Sequence, residues 1–244
     1  DINSAFAYRE KGFMRHLGSM GISLLNFNFR KIGERIRVLM GLEKDPYDTY
    51  DWQLEMAKKY HLKQIYFFLV GDYGEYDKNI PVEGSRSFQS LIKSIADYAE
   101  VGVHPSYYSN SNKDQLRKEV RRLSKVLKNE IVKSRQHYLK ITFPDTYRNL
   151  LEFDILEDYS MGYASEIGFR ASICTPFNFY DLDLDVSTKL RLTPFMLMDG
   201  TMKDYMRMSP EESIDRAKSL IDEVKAVNGT FVTLWHNQSV NDRE

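Results

Sequence analysis

Buried strands that alternate with amphipathic helices are the feature that most constrains the fold of this chain. Residues 64–70 are almost all apolar and end at Gly71-Asp72, which is typical of a strand covered on both faces. Residues 87–99 then carry apolar side chains at a helical spacing, and residues 100–104 form a second short strand. Because strands separated by helices usually pair in parallel, we expect an α/β protein with a parallel sheet or barrel.

The same alternation continues along the rest of the chain. The further predicted elements are helices over residues 113–133, 145–152 and 210–227, and extended segments over residues 135–141, 158–163, 167–172, 192–198 and 230–235. The last helix has a clear start, because Ser209 caps it and Pro210 takes its first position. Residues 4–50 are interpreted as an insertion after the first strand, with a helix over 29–40. Residues 1–244 are expected to form one domain.

Composition narrows the possible classes of function. The chain has 244 residues, 42% hydrophobic and 28% charged, as is typical of a soluble globular domain. A net charge of −1 argues against a nucleic-acid partner. No segment approaches the roughly 18 apolar residues of a membrane span, and no signal peptide is visible, so we expect a cytoplasmic location. A single cysteine, Cys174, excludes an intramolecular disulfide and a cysteine-rich zinc site.

Five short segments with polar side chains could form one hydrolytic site. They are Asp1-Ile2-Asn3, His104-Pro105-Ser106-Tyr107-Tyr108-Ser109, Arg135-Gln136-His137, Gly168-Phe169-Arg170 and Leu234-Trp235-His236. Several of them lie at or near the end of a predicted strand, where barrels and open α/β sheets hold catalytic groups. Taken alone each segment is a weak signal, since a histidine at a strand end is more often a hydrogen-bonded structural residue.

In their order and spacing these segments resemble those of the polysaccharide deacetylases, the NodB-like carbohydrate esterases of family 4. The resemblance is greatest to a divergent bacterial branch and extends from Asp1 to Asn241. It implies a deformed (β/α) TIM-like barrel, with a first strand upstream of Asp1. It also implies a hydrolase that removes acetyl groups from an N-acetylated sugar or polysaccharide. In the family a divalent metal activates the water that attacks the amide, and the metal expected in this chain is zinc.

The resemblance also assigns roles to the residues of the metal site. Asp1 matches the catalytic base, and Asn3 matches a metal-binding aspartate that is an amide in this chain. His104 matches the first metal-binding histidine, whereas the second would fall at Tyr108, a poor ligand unless it is ionised. His137 could supply the missing imidazole or face the barrel wall.

The remaining roles concern proton transfer and the sugar. Arg135 and Asp158 resemble the strand-end arginine and the carboxylate that orients it, and His236 resembles the general acid. The residues expected to bind substrate are Tyr108, Arg170 and Trp235. For Arg170 a buried ion pair is a competing interpretation, and Tyr108 could equally be a packing residue.

Two other functions compete with deacetylation. A non-catalytic barrel that binds glycans would explain the altered residues Asn3 and Tyr108. A barrel glycosidase would instead need two carboxylates at a defined separation across the site. Its candidate pairs are Asp72 with Glu75, and Asp154 with Glu157. His16 and His61 are expected to be surface residues.

Overall fold

A parallel sheet of short strands forms the centre of the protein in the computed structural model, which describes residues 1–12 and 29–241. The helices are α1 (Phe29–Leu39), α2 (Tyr50–Tyr60), α3 (Arg86–Ala96), α4 (Lys113–Leu127), α5 (Asp145–Glu152) and α6 (Pro210–Ala226). The strands are β1 (Ile65–Phe68), β2 (Glu100–Val103), β3 (Lys133–Ser134), β4 (Glu157–Asp158), β5 (Phe177–Asp181), β6 (Val186–Leu192), β7 (Leu197–Met198) and β8 (Thr233–Leu234).

The strands lie in the order β1-β2-β3-β4-β6-β5, and a second pair joins β7 to β8. All neighbours are parallel except β5 and β6, which form an antiparallel hairpin. This is the α/β architecture that the alternation of strands and helices predicts. The hairpin is an exception that the expectation of strict strand-helix alternation did not include.

The residues at the amino end of the chain close the sheet towards a barrel. Ile2 forms a parallel bridge with Phe68 beside β1, through hydrogen bonds to Phe67 and Leu69. The backbone nitrogen of Asp1 donates to the carbonyl of Trp235, just beyond β8, at 2.6 Å. The first residues therefore link β1 to β8, as expected for a deformed barrel wall.

One row of paired residues crosses most of this wall. The residues paired in this row are Ile2, Phe68, Val103, Ser134, Asp158 and Leu192. Because successive side chains on a strand point to opposite faces, the next residue on each strand points away from the face that the row occupies. Asn3, His104 and Arg135 each follow directly after a member of this row, so the register brings them to one level.

Helices cover the outer face of the sheet. Phe88, Ile92 and Ile95 of α3 and Leu123 of α4 are at most 1% exposed and share one core with strand residues such as Phe68. A smaller core packs α6 against the β7 segment. Ser209 begins α6 with a capping box, as the sequence predicts. Over residues 1–12 and 29–241, no helix has both the length and the apolar character needed to cross a bilayer.

The segment interpreted as an insertion is held together by internal hydrogen bonds and is tied to Asn237 near the carboxyl end of the chain. The buried Asp45 carboxylate accepts from the backbone nitrogens of Ala7 and Tyr8, at 2.7 and 2.9 Å. Asn237 donates to the Ser4 carbonyl and to the Tyr50 hydroxyl. The helix predicted over residues 29–40 is confirmed as α1. His16 lies outside the described residues.

Three predicted boundaries are wrong. Residues 135–141, predicted as a strand, contain none: β3 lies just before them, at Lys133–Ser134, and the left-handed backbone angles of Tyr138 and Leu139 (φ 58° and 51°) turn the chain. The helix predicted over residues 113–133 ends at Leu127, where Lys128 is left-handed. Residues 167–172 form turns and bends, without strand pairing.

Candidate active site

Asp1 and Arg135 form a buried ion pair at the carboxyl end of the strands. One terminal nitrogen of Arg135 lies 2.9 Å from Asp1 Oδ1, and its Nε donates to the carbonyl of Tyr159 at 3.0 Å. Both side chains are at most 5% exposed. Burial lowers the pKa of the Arg135 guanidinium to about 10, so it remains a cation near neutral pH. The pair therefore places a fixed positive charge beside the Asp1 carboxylate.

Asp158, expected to orient Arg135, has other partners. Its carboxylate accepts from the hydroxyls of Ser134 and Ser160, at 2.8 and 2.9 Å, and from the Ser160 backbone nitrogen. The hydrogen bonds and ion pairs of the described residues do not join it to the guanidinium. Asp1 and the Tyr159 carbonyl orient Arg135 instead, and Asp158 acts on it only through its charge.

His104 presents one ring nitrogen with no partner. Its Nδ1–H donates to the carbonyl of Arg135 at 2.5 Å, while Nε2 is buried and has no hydrogen-bond partner within the described part of the chain. Nε2 lies 3.9 Å from Asp1 Oδ2. Burial, followed by the charge of His137, holds the pKa of His104 well below its usual value. His104 is therefore a neutral imidazole with a free lone pair on Nε2.

His137 lies against His104, with 5.0 Å between the ring centroids. Its Nδ1–H donates to the fully buried Asp77 carboxylate at 2.7 Å, which leaves Nε2 as the nitrogen open to another partner. A carboxylate on Nδ1 is the arrangement that fixes the tautomer and orientation of a metal-binding histidine. Asp77 was not among the predicted site residues.

Asn3 supplies a third atom without a partner. Its side-chain oxygen is buried and unpaired, considering residues 1–12 and 29–241. Buried polar atoms rarely lack a partner, so the atoms of Asn3 and His104 that are unsatisfied by the described residues mark a place where a bound group would find ligands. Imidazole nitrogen and amide oxygen are both donors to divalent metals.

The residues present fit a divalent metal, though with an unusual donor set. In the described ranges, no group of three or more His, Cys, Asp or Glu residues is placed to hold an ion. The set here contains two histidines and an amide, with the Asp1 carboxylate near His104. Tyr108 does not replace the expected second histidine at this site. It is 45% exposed and packs against other tyrosines.

His236 is paired with a second carboxylate, Asp199. Its Nδ1–H donates to Asp199 Oδ1 at 2.8 Å, and its backbone nitrogen donates to Oδ2 at 2.9 Å. Burial raises the pKa of Asp199, but the contacts with His236 outweigh this and lower it to about 2. Asp199 follows β7 directly and His236 follows shortly after β8, so parallel pairing brings them together.

The three predicted substrate residues lie in different environments. Arg170 forms no ion pair with the described residues. It is half-buried and donates to the carbonyl of Gly162 at 3.1 Å, which corrects the buried-ion-pair interpretation. Trp235 is 46% exposed and lines a cavity of about 810 Å³ that Asp1 and Arg135 also line. That cavity extends to the amino ends of β1 and β8.

The carboxylates of the glycosidase interpretation are used elsewhere. Asp72 forms ion pairs with Lys118 and Arg122, at 2.8 and 2.7 Å. Glu157 pairs with Lys133 at 2.5 Å. Asp154 is an exposed residue near Lys189, and Glu75 is also exposed. His61 is exposed at the end of α2, as predicted.

Two site residues escaped sequence reasoning. Asp199 follows an extended segment that the sequence does predict, so the rule that strand ends carry catalytic groups could have found it. Asp77 lies in the loop after β1, and no periodic pattern marks it. Both are carboxylates that orient a histidine.

Comparison with known proteins supports the fold. No family model and no curated protein matches the sequence. Among solved structures, one from Mycobacterium smegmatis assigned as a polysaccharide deacetylase has a TM-score of 0.53 at 15% identity, over 76% of this chain and 62% of that one. PuuE allantoinase has a TM-score of 0.50 at 12% identity, over 76% of this chain and 58% of that one.

A weaker likeness, with a TM-score of 0.44 at 10% identity, is to a structure from Bordetella bronchiseptica, also assigned as a polysaccharide deacetylase. It covers 78% of this chain and 65% of that one. The chain thus spans less than two thirds of the length of the structures it matches. Together with the strand order and the closure at Asp1, the likenesses to the Mycobacterium smegmatis structure and to PuuE allantoinase show that the chain has a fold of the polysaccharide deacetylase type.

Proposed function

We propose that this protein is a metal-dependent hydrolase that removes acetyl groups from an N-acetylated sugar or polysaccharide. The observation that carries the proposal is a pair of buried atoms, Asn3 Oδ1 and His104 Nε2, that have no hydrogen-bond partner among the described residues and lie beside the Asp1–Arg135 pair. Unsatisfied buried donors and acceptors are costly, which makes them a sign of a functional site. The solved structures with this fold include proteins assigned as polysaccharide deacetylases, which supports the same reaction class.

Asn3, His104 and His137 would hold the metal. When bound, a divalent cation such as Zn²⁺ supplies Lewis-acid activation of a water nucleophile and of the acyl carbonyl. All three donors are neutral, whereas an aspartate at position 3 would add a negative charge. We therefore infer weaker metal binding than in a site with that carboxylate.

Asp1 is suited to be the general base. Arg135 binds Oδ1, which leaves Oδ2, the oxygen nearest to His104, to take a proton from the attacking water. The adjacent guanidinium fixes the orientation of the carboxylate and places a positive charge 2.9 Å from Oδ1. Arg135 is a positioning residue in this scheme.

His236 is suited to be the general acid. Because Asp199 accepts the proton on Nδ1, Nε2 is the nitrogen that can donate to the leaving amine. An amine leaves poorly unless it is protonated, so this group suits amide hydrolysis. PuuE allantoinase has a similar fold, so fold likeness alone does not choose between carbohydrate amides and other amides. The expectation of a sugar substrate rests on the resemblance of the five sequence segments to those of the polysaccharide deacetylases.

The proposal can be tested by measuring metal content and acetate release together. The protein is reconstituted with Zn²⁺, dialysed and analysed for bound metal, and then assayed on N-acetylglucosamine oligomers. His104→Ala is expected to abolish both, whereas the control His61→Ala, at an exposed histidine, should change neither. Asn3→Asp should tighten Zn²⁺ binding about tenfold or more, because it restores a charged ligand.

The second candidate function is glycan binding without catalysis, which the amide at Asn3 favours. It predicts no bound Zn²⁺ and no acetate release in the unaltered protein, together with measurable binding of the oligomers. That result would refute the deacetylase proposal. Stoichiometric Zn²⁺ and acetate release that depends on His104 would refute glycan binding as the sole function.

A further inference from the structure

Four tyrosines form an aromatic cluster next to the candidate active site. The members of this tyrosine cluster are Tyr76, Tyr107, Tyr108 and Tyr138. Three of them are substantially exposed, at 38% for Tyr76, 45% for Tyr108 and 58% for Tyr138. Rings that serve only as core would be buried, so most of this aromatic surface faces solvent.

The rings hold one another in a fixed arrangement. Tyr76 stacks on Tyr107 with 4.2 Å between ring centroids, and Tyr138 is nearly perpendicular to both, at 90° and 86°. The ammonium of Lys140 lies 3.7 Å from the centroid of Tyr107. Tyr107 is thus covered by its neighbours, and the open ring surface belongs to Tyr76, Tyr108 and Tyr138.

The backbone at Tyr138 is held in an unfavourable conformation. Its φ of 58° lies in the left-handed region, which is uncommon for a bulky residue and costs on the order of 1 kcal/mol or more. Burial of the ring does not offset this cost, since more than half of Tyr138 is exposed. Strain retained at an exposed aromatic side chain is a sign of a binding role.

The cluster is rigidly connected to the candidate metal site. The Tyr138 ring lies 4.5 Å from the His137 ring, between centroids. The Asp77 carboxylate accepts both from His137 Nδ1, at 2.7 Å, and from the backbone nitrogen of Tyr107, at 3.0 Å. One buried carboxylate therefore sets the position of the cluster relative to His137.

We infer that the tyrosine cluster is a platform for the sugar residues of a glycan chain that lie next to the residue being deacetylated. A pyranose ring presents an apolar C–H face that packs on an aromatic ring, while its hydroxyls can reach phenol groups and water. The inference rests on the proposed function and makes it narrower. The preferred substrate is an oligomer or polymer of N-acetylated hexosamine, and the free monosaccharide binds poorly.

Isothermal titration calorimetry with N-acetylglucosamine and its tetramer tests the platform. We expect the tetramer to bind at least about tenfold more tightly than the monomer. Tyr138→Ala and Tyr76→Ala should each weaken tetramer binding about tenfold and leave metal content unchanged. Tyr138→Phe, which keeps the ring, should stay within about twofold of the unaltered protein. Tyr98→Ala, at a tyrosine that is 78% exposed outside the cluster, is the matched control.

The outcomes separate the platform from the proposed catalysis. Equal affinity for monomer and tetramer, absence of tetramer binding, or equal losses in the Tyr98 variant would overturn the platform. Tetramer binding that depends on Tyr76 and Tyr138, without acetate release, would support the platform and refute the deacetylase. Circular dichroism identifies any alanine variant that misfolds. If one does, the tetramer affinities of the other alanine variant and of Tyr138→Phe show whether binding depends on the aromatic rings.

Discussion

The buried carboxyl of Glu119 should make this protein less stable as the pH rises from about 4.5 to about 7. Glu119 lies on α4, is 0% exposed, and accepts from Ser106 through the backbone nitrogen at 2.9 Å and the hydroxyl at 2.5 Å. Gln115 donates a third hydrogen bond at 2.8 Å. Burial dominates over these bonds and raises the pKa of Glu119 to about 7.

The sign follows from proton linkage. Because the folded-state pKa lies above the unfolded value of 4.5, the folded protein binds more protons between these two values. The contribution of Glu119 to stability is therefore fully present below pH 4.5, falls through this window and levels off above about pH 8. The pKa interval from 4.5 to about 7, at roughly 1.4 kcal/mol per pH unit, corresponds to roughly 3 to 4 kcal/mol for this one group.

Urea denaturation at several pH values between 4.5 and 8.5 measures this effect. The free energy of unfolding of the unaltered protein should fall by roughly 3 to 4 kcal/mol more than that of Glu119→Gln across the window, since the amide does not titrate. Other titrating groups are common to both proteins and cancel in the difference. Glu55→Gln, at an exposed position of α2, should behave like the unaltered protein. Parallel stability curves for the unaltered protein and Glu119→Gln would refute the reasoning.

Three further predictions concern packing, a buried hydroxyl and proton transfer. Gly162→Ala should lower the free energy of unfolding by about 2 kcal/mol or more in urea denaturation, because the added Cβ would lie 2.3 Å from ring atoms of the buried Phe195. An unchanged free energy of unfolding would contradict this contact. Tyr147→Phe should stabilise the protein by about 1 kcal/mol in the same assay, since the Tyr147 hydroxyl is buried without a partner among the described residues. A loss of stability would instead imply that the hydroxyl has a hydrogen-bond partner. If the protein is a deacetylase, Asp199→Asn should lower kcat on the order of 100-fold and alter the pH–rate profile of the step that His236 assists; an unchanged profile would argue against His236 as the acid.

Local signals predicted most of the helices and strands. The start of α6 is determined by Ser209 and its immediate neighbours, and the structure has the capping box there. The β5–β6 hairpin was missed although residues 177–181 and 188–192 alternate between covered and exposed positions. That period-two pattern is typical of a strand with one covered face, and only the assumption of strict strand-helix alternation hid it.

The candidate site was predictable where it depends on strand ends. Asn3, His104 and Arg135 follow residues of one paired row, so the sequence could bring them together. The positions of Asp77 and Tyr108 depend on turns, whose side-chain directions are set by contacts distant in sequence. The partner of Arg135 could not be chosen from sequence either, because Asp1 and Asp158 were both plausible carboxylates near it.

The row of paired residues that crosses the barrel wall determines which kinds of sequence change the site can tolerate. Val103 points into the outer core and His104 into the site, because neighbouring side chains on a strand alternate between faces. Insertion or deletion of a single residue within β2 would exchange these two orientations, burying an imidazole among apolar side chains and turning a valine towards Asp1. Length changes in loops that carry no site residue have no such penalty, whereas the loop after β1 must keep Asp77 within reach of His137. Chains that share this site should therefore vary in length at the loops without site residues and hardly at all in the short strands.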